Sequence, residues 1–176
     1  MFPFFHIFFP LFVLEFLISF KKIKLEKIQR FWLILGSILP DLIDKPISLI
    51  TKTISGRGIA HTPIFLFILC STIFILTKKT ELSLSLGSGI IFHLLLDIPS
   101  VPWLWPLIPL EYSSFDFNDW VFTILHNPLI ISTEIIGFIG LFGIIYYYKI
   151  IFSSNLVNWQ NFHSFLFESP KIITND

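Results

Sequence analysis

Charge is what this sequence has least of. Its 12 basic and 12 acidic residues make up only 14% of 176 positions, too few to cover a soluble domain with polar surface. The two signs cancel, so no basic excess points to nucleic acid. Cysteine is almost missing too. Cys70 stands alone inside an apolar run, which excludes an intramolecular disulfide and a cysteine-based zinc site. It reads most simply as a small core residue. The opening MFPFFHIFFP has no positive residue before it and no small-residue cleavage site after it, so a retained helix is expected rather than a cleaved signal. No repeat of useful length and no low-complexity linker divides the chain.

Apolar residues fill the space that charge leaves. They make up 54% of the chain, Phe alone accounts for 22 positions, and the mean hydropathy is +0.79. Apolar stretches of about 17–24 residues recur, the length a helix needs to cross a bilayer. The pattern predicts an all-α, polytopic membrane helical bundle with about five transmembrane or membrane-embedded helices. They run from about Phe4 to Phe20, Phe31 to Ile43, Pro63 to Thr77, Leu82 to Ile98 and Leu129 to Phe152. The second is expected to break in LPDLIDKP, at Pro40 and Pro46. The third has a clear start, with Thr62 as cap and Pro63 in the first helical position.

Residues 1–152 form one membrane-embedded domain in this reading, and 153–176 a polar tail that leaves the membrane. Between the fourth and fifth segments, Pro99, Pro102, Pro106 and Pro109 forbid one regular helix, while Trp103, Trp105, Tyr112 and Trp120 suit the bilayer interface. An interfacial loop with short helical pieces is expected. Basic residues set the orientation. Lys21, Lys22, Lys24, Lys27 and Arg30, then Lys78 and Lys79, then Lys149 and Lys171 fall on one side, against Lys45, Lys52 and Arg57 on the other. The positive-inside rule then puts the amino terminus outside and the carboxyl terminus in the cytoplasm.

On that topology the ionisable groups gather at the outer ends of the helices. His6 opens the first, Asp41 and Asp44 close the second, His61 precedes the third, and His93 and Asp97 close the fourth. His93 and Asp97 are four apart and project from one helix face; Asp41 and Asp44, three apart, share a face if the helix continues past Pro40. Imidazole nitrogen with carboxylate oxygen is a ligand set for zinc, foremost, or for manganese or iron. Bland alternatives stand beside each residue: a solvated His6, a turn at Asp41, an ion pair of Asp44 with Lys45, a helix-entry role for His61. Arg57, between glycines in SGRGIAHT, suits a substrate phosphate or a lipid headgroup. Glu15 is a candidate helix-to-helix hydrogen-bond partner or a supporting group behind the site, and Glu134 a further group facing the same pool. His126 reads as a surface histidine, and His163 falls on the opposite side.

The succession of His6, GSILPD (36–41), GRGIAHT (56–62) and GSGIIFHLLLD (87–97) resembles the YdjM-like inner-membrane metal-dependent hydrolases. More distantly it is similar to zinc-dependent phospholipase C. The resemblance covers roughly residues 1–135. It implies a principal metal held by His61, His93 and Asp97, completed by Asp41, with His6 on a neighbouring metal shared through Asp97. The phospholipase pattern continues with further His and Glu ligands, where this chain has IPSVPWLWP; Glu134 is the substitute available, and one or two metals are expected rather than three. The implied function is hydrolysis of a phosphoester or lipid-like substrate at the membrane surface by metal-activated water. Asp41 or Asp44 is the candidate general base, and Arg57 or Lys45 balances phosphate charge. Two other readings stay open, a metal-ion or proton transporter and a membrane protein whose metal only staples helices. The substrate, the oligomeric state and the pathway are not legible.

Overall fold

The computed structural model describes residues 3–19, 27–51, 56–109, 117–148 and 159–168. Among them every regular element is helical: α1 (Pro3–Ser19), α2 (Arg30–Thr51), α3 (Pro63–Thr77), α4 (Thr80–Leu96), α5 (Phe117–His126), α6 (Pro128–Tyr147) and α7 (Trp159–Phe167). Short 3₁₀ turns at Ile59–His61 and Ile98–Ser100 lead into α3 and out of α4. The all-helical expectation holds. Three of the five apolar segments fall within two residues of observed helices, and α3 begins as its sequence demands, with the Thr62 hydroxyl accepting from Phe65 N–H. The fifth segment begins one residue early, at Pro128 behind an Asn127 cap; its last residues, 149–152, lie outside the described chain, as do Lys21, Lys22, Lys24, Lys52, Lys149, Lys171 and Tyr112.

The second segment requires correction. It does not break at its prolines: α2 runs unbroken through Pro40 and Pro46 to Thr51. A proline inside a helix costs about 3 kcal/mol. What offsets it is tertiary. The incoming segment 56–61 wraps the last turns of α2, its backbone N–H groups bonding to Asp44 and to the Ser48 hydroxyl. Local chemistry alone showed two helix breakers; contacts from the next loop outweigh them.

Helices α2 and α4 run side by side toward the same end, and glycines set their spacing. A Cβ on Gly36 would lie 2.1 Å from the Leu86 carbonyl oxygen, and one on Gly89 2.2 Å from that of Leu33. Small residues that let backbones approach are the packing device of membrane helices, where lipid offers no hydrophobic drive to associate. Helices α1 and α6 pair in the same way, with Gly137 against the Phe4–Phe5 backbone. α3 returns beside α4, tied by the Ser83 hydroxyl to the Cys70 carbonyl at 2.8 Å.

The buried apolar residues form two clusters, one around Leu11, Leu14, Ile18, Leu33 and Phe165, the other around Leu86, Ile90, Leu94 and Val101. Much more apolar surface points outward, including Phe67, Leu76, Leu129 and Ile139. Among the described residues one helix, α6, is long and apolar enough to cross a membrane by itself, and only 6% of that span is buried inside the protein. A core helix of a soluble protein would be buried; this one presents its apolar surface outward. α1, α3 and α4 are shorter apolar helices, while α2 carries Arg30 at its start and Asp41, Asp44 and Lys45 past its midpoint.

The end opposite the histidines is closed by a second polar cluster. Arg30, 3% exposed, bonds through Nε to Glu15 Oε1 (2.7 Å), through Nη1 to the Phe165 carbonyl (3.2 Å) and through Nη2 to the Tyr148 hydroxyl (3.0 Å). Tyr148 in turn donates to Glu15 Oε2. Of the two roles open to Glu15, the structure gives it that of a helix-to-helix partner and not that of a support behind the histidines. The tail reading did not anticipate α7, whose Phe165 is buried against this cluster.

Candidate metal centre

Each helix delivers its polar residue to the same end for a traceable reason. The glycine contacts of α2 and α4 bring Ser37 beside His93, whose Nδ1 donates to the Ser37 carbonyl at 2.7 Å. A carbonyl only accepts, so this bond puts the His93 proton on Nδ1 and leaves a lone pair on Nε2. The 3₁₀ turn before α3 sets His61 in the same way. Its Nδ1 donates to Asp44 Oδ2 at 2.7 Å, while the N–H groups of Gly58, Ala60 and His61 bond to the same carboxylate at 2.7, 3.2 and 3.1 Å. Asp44, 3% exposed, thereby holds one face of His61 and the loop that carries it.

The free nitrogens face each other. His61 Nε2 and His93 Nε2 lie 3.2 Å apart, and both side chains are fully buried. Two lone pairs at that distance repel unless a proton or a cation lies between them. Carboxylates surround the pair. Asp41 Oδ1 is 3.5 Å from His61 Nε2 and 3.9 Å from His93 Nε2; Asp97 Oδ2 is 4.0 Å from His61 Nε2. His6 Nε2 is 3.6 Å from Asp97 Oδ1, and its ring centroid is 4.4 Å from that of His93. Two overlapping groups of metal-type donors result, Asp41–His61–His93 and His6–His93–Asp97, with His93 common to both.

The donor set fits a divalent cation. A tetrahedral ion bonded at about 2.0–2.1 Å has ligand-to-ligand edges of about 3.3 Å, near the spacings here. Nδ1 atoms anchored on a carboxylate and a carbonyl are the usual support of metal-ligating histidines. Burial alone would lower the pKa of His61, but its hydrogen bonds to Asp41 and Asp44 and their charges outweigh it, so the net shift is upward from 6.5. A proton therefore competes for the place a cation would take.

The remaining candidates fall around this cluster. Lys45 bonds Asp41 Oδ2 at 2.6 Å rather than pairing with Asp44. Arg57 bonds Asp97 Oδ2 through Nε at 2.9 Å. Glu134, 8% exposed, belongs to neither donor group; its Oε2 accepts from Phe4 N–H at 3.1 Å, satisfying one of the open N–H groups that start α1. Gly137, one turn later, is what lets α6 come close enough for this. His126 stacks on Phe122 at the surface, and His163 lies on α7. The sequence reading missed Ser37, because a carbonyl's role carries no residue signature beyond its place one turn before Pro40.

A helical bundle with outward apolar surface and a buried His/Asp cluster at one end defines a class: an integral membrane protein with a metal-type donor set. The chain belongs to the YdjM inner membrane protein family, whose family model matches residues 1–160. Neither the comparison with curated proteins nor that with solved structures gave a match.

Proposed function

We propose that this protein is a membrane-bound metal-dependent hydrolase acting on a phosphoester or lipid-like substrate at the membrane surface. The observation that carries the reading is the pair of Nε2 atoms 3.2 Å apart whose Nδ1 protons are both committed elsewhere. Asp41, His61, His93 and Asp97 would hold the cation, zinc first, with His6 beside Asp97 for a second one. A bound divalent cation would supply Lewis acidity, polarising a phosphoryl oxygen and acidifying water.

The chain's own residues supply the rest. Asp44 and the Ser37 carbonyl fix the tautomers and ring planes of His61 and His93, so Asp44 is a positioning residue here. Asp41 is the most accessible carboxylate of the cluster, 18% exposed against 5% for Asp97; where His61, His93 and Asp97 hold the cation without it, Asp41 would instead be the better placed general base for water. Lys45 and Arg57 offset the charge of Asp41 and Asp97 and balance that of a phosphate. We place α1 to α4 and α6 in the bilayer with the donor cluster at the outer face, on the charge distribution of the loops. A transport route is less well supported. The polar cluster at the other end is internally satisfied, and buried Leu11, Leu14 and Leu33 pack between the two.

The test is turnover of bis(p-nitrophenyl) phosphate and of phospholipid by protein in nanodiscs, with zinc or manganese added. Metal-dependent hydrolysis that disappears in His93→Ala is expected. Stoichiometric metal with no hydrolysis of either substrate would make the metal a structural staple instead.

A further inference from the structure

Next to the donor cluster, the Pro/Trp-rich loop encloses a cavity of about 360 Å³. Its walls include Val101, Trp103, Leu104, Trp105 and Ile108, and the one charged group among its described lining residues is Arg57. That volume is at the small end of ordinary ligand pockets, about 300–1,000 Å³, and suits a headgroup with its first few carbons rather than a whole lipid. Trp103, Leu104 and Ile108 are also exposed, so the apolar wall continues out to the protein surface.

Arg57 joins this cavity to the cluster. Its Nε is spent on Asp97 Oδ2, and among the described residues Nη1 and Nη2 have no partner. A guanidinium with two free donors in a fixed fork matches the oxygens of a phosphate. Apolar walls beside a single cation call for a ligand with an anionic head on an apolar body, not for a free ion or a neutral lipid.

We propose that this cavity is the substrate subsite for a phosphate ester carried on an alkyl chain, as in an anionic phospholipid. Arg57 grips the phosphate, and Trp103 and Trp105 pack on the carbons next to it. That the ligand is a substrate rests on the proposed hydrolase reading, and a cation on Asp97 would strengthen the grip by cancelling a carboxylate that Arg57 otherwise offsets.

Calorimetric titration of the detergent-purified protein with hexyl phosphate, hexanol and inorganic phosphate separates the sources of the ligand. Hexyl phosphate is expected to bind at least tenfold more tightly than either of its parts. Arg57→Gln, which keeps a donor for Asp97, should weaken it about tenfold, the scale of a charge-assisted hydrogen bond. Trp103→Ala should bring hexyl phosphate close to inorganic phosphate. Inorganic phosphate binding as tightly as hexyl phosphate, or an unchanged affinity in either Arg57→Gln or Trp103→Ala, would overturn the proposal. Elemental analysis of the same samples keeps the two readings apart. Bound metal without Arg57 dependence removes the subsite alone, whereas Arg57-dependent binding in protein that takes up no metal retains the subsite and removes the metal centre.

Discussion

Asp44 touches no atom assigned to the metal-facing side, yet its replacement should be felt there. Its Oδ2 accepts from Gly58 N–H, His61 N–H and His61 Nδ1, and its Oδ1 from Ala60 N–H. In Asp44→Asn one oxygen can keep the three bonds at the Oδ2 position, but the amide nitrogen then points donors at Ala60 N–H. The loss is one buried hydrogen bond plus the charge assistance of the others, about 2–3 kcal/mol. Asp44→Ala strands all four donors and should cost about 3–5 kcal/mol. Because His61 loses its orienting partner, zinc affinity should fall about 10–100-fold in Asp44→Asn, the usual effect of removing a support from a ligating histidine. Competition with a chromogenic chelator measures the affinity, and thermal unfolding followed by circular dichroism measures the stability. Full zinc affinity in a well-folded Asp44→Asn protein would refute the idea that this carboxylate aims His61 at the cation.

Two further outcomes follow from the geometry. Gly89→Ala would place a methyl 2.2 Å from the Leu33 carbonyl oxygen, so α2 and α4 must separate; a loss of about 1–3 kcal/mol and weaker zinc binding are expected, checked by thermal midpoint and chelator competition. Metal uptake should depend on pH with a definite sign. His61 holds its proton more strongly than an ordinary histidine, so affinity should rise as pH climbs through and above 6.5, with proton release on binding measurable in weakly buffered solution.

Much of this was legible in the sequence because it is local. The Thr62–Pro63 start of α3 and the i, i+4 spacing of His93 and Asp97 are properties of a few neighbouring residues, and the apolar runs dictate helices by length alone. The rest depends on contacts distant in sequence. Pro40 and Pro46 look like breakers until the 56–61 segment folds back on α2. Asp44 and Asp41 are indistinguishable by spacing, and only that same segment gives Asp44 the support of His61 and leaves Asp41 facing the cluster. Lys45 reaches back one turn to Asp41 because Asp44 is already engaged. Arg30 was counted as a loop charge, whereas Glu15 and Tyr148, the latter 118 positions away, draw it into a buried cluster. A charged residue in the middle of α1 was the available hint that a buried partner existed.

The most direct measurement is the metal content and coordination of purified protein, by elemental analysis and X-ray absorption at the zinc edge. The account predicts at least one zinc per chain, a shell of nitrogen and oxygen at about 2.0–2.1 Å with histidine character and no sulfur, and loss of that zinc in both His61→Ala and His93→Ala. Wild-type protein that takes up no zinc, manganese or iron, or zinc that remains bound in both variants, would contradict it.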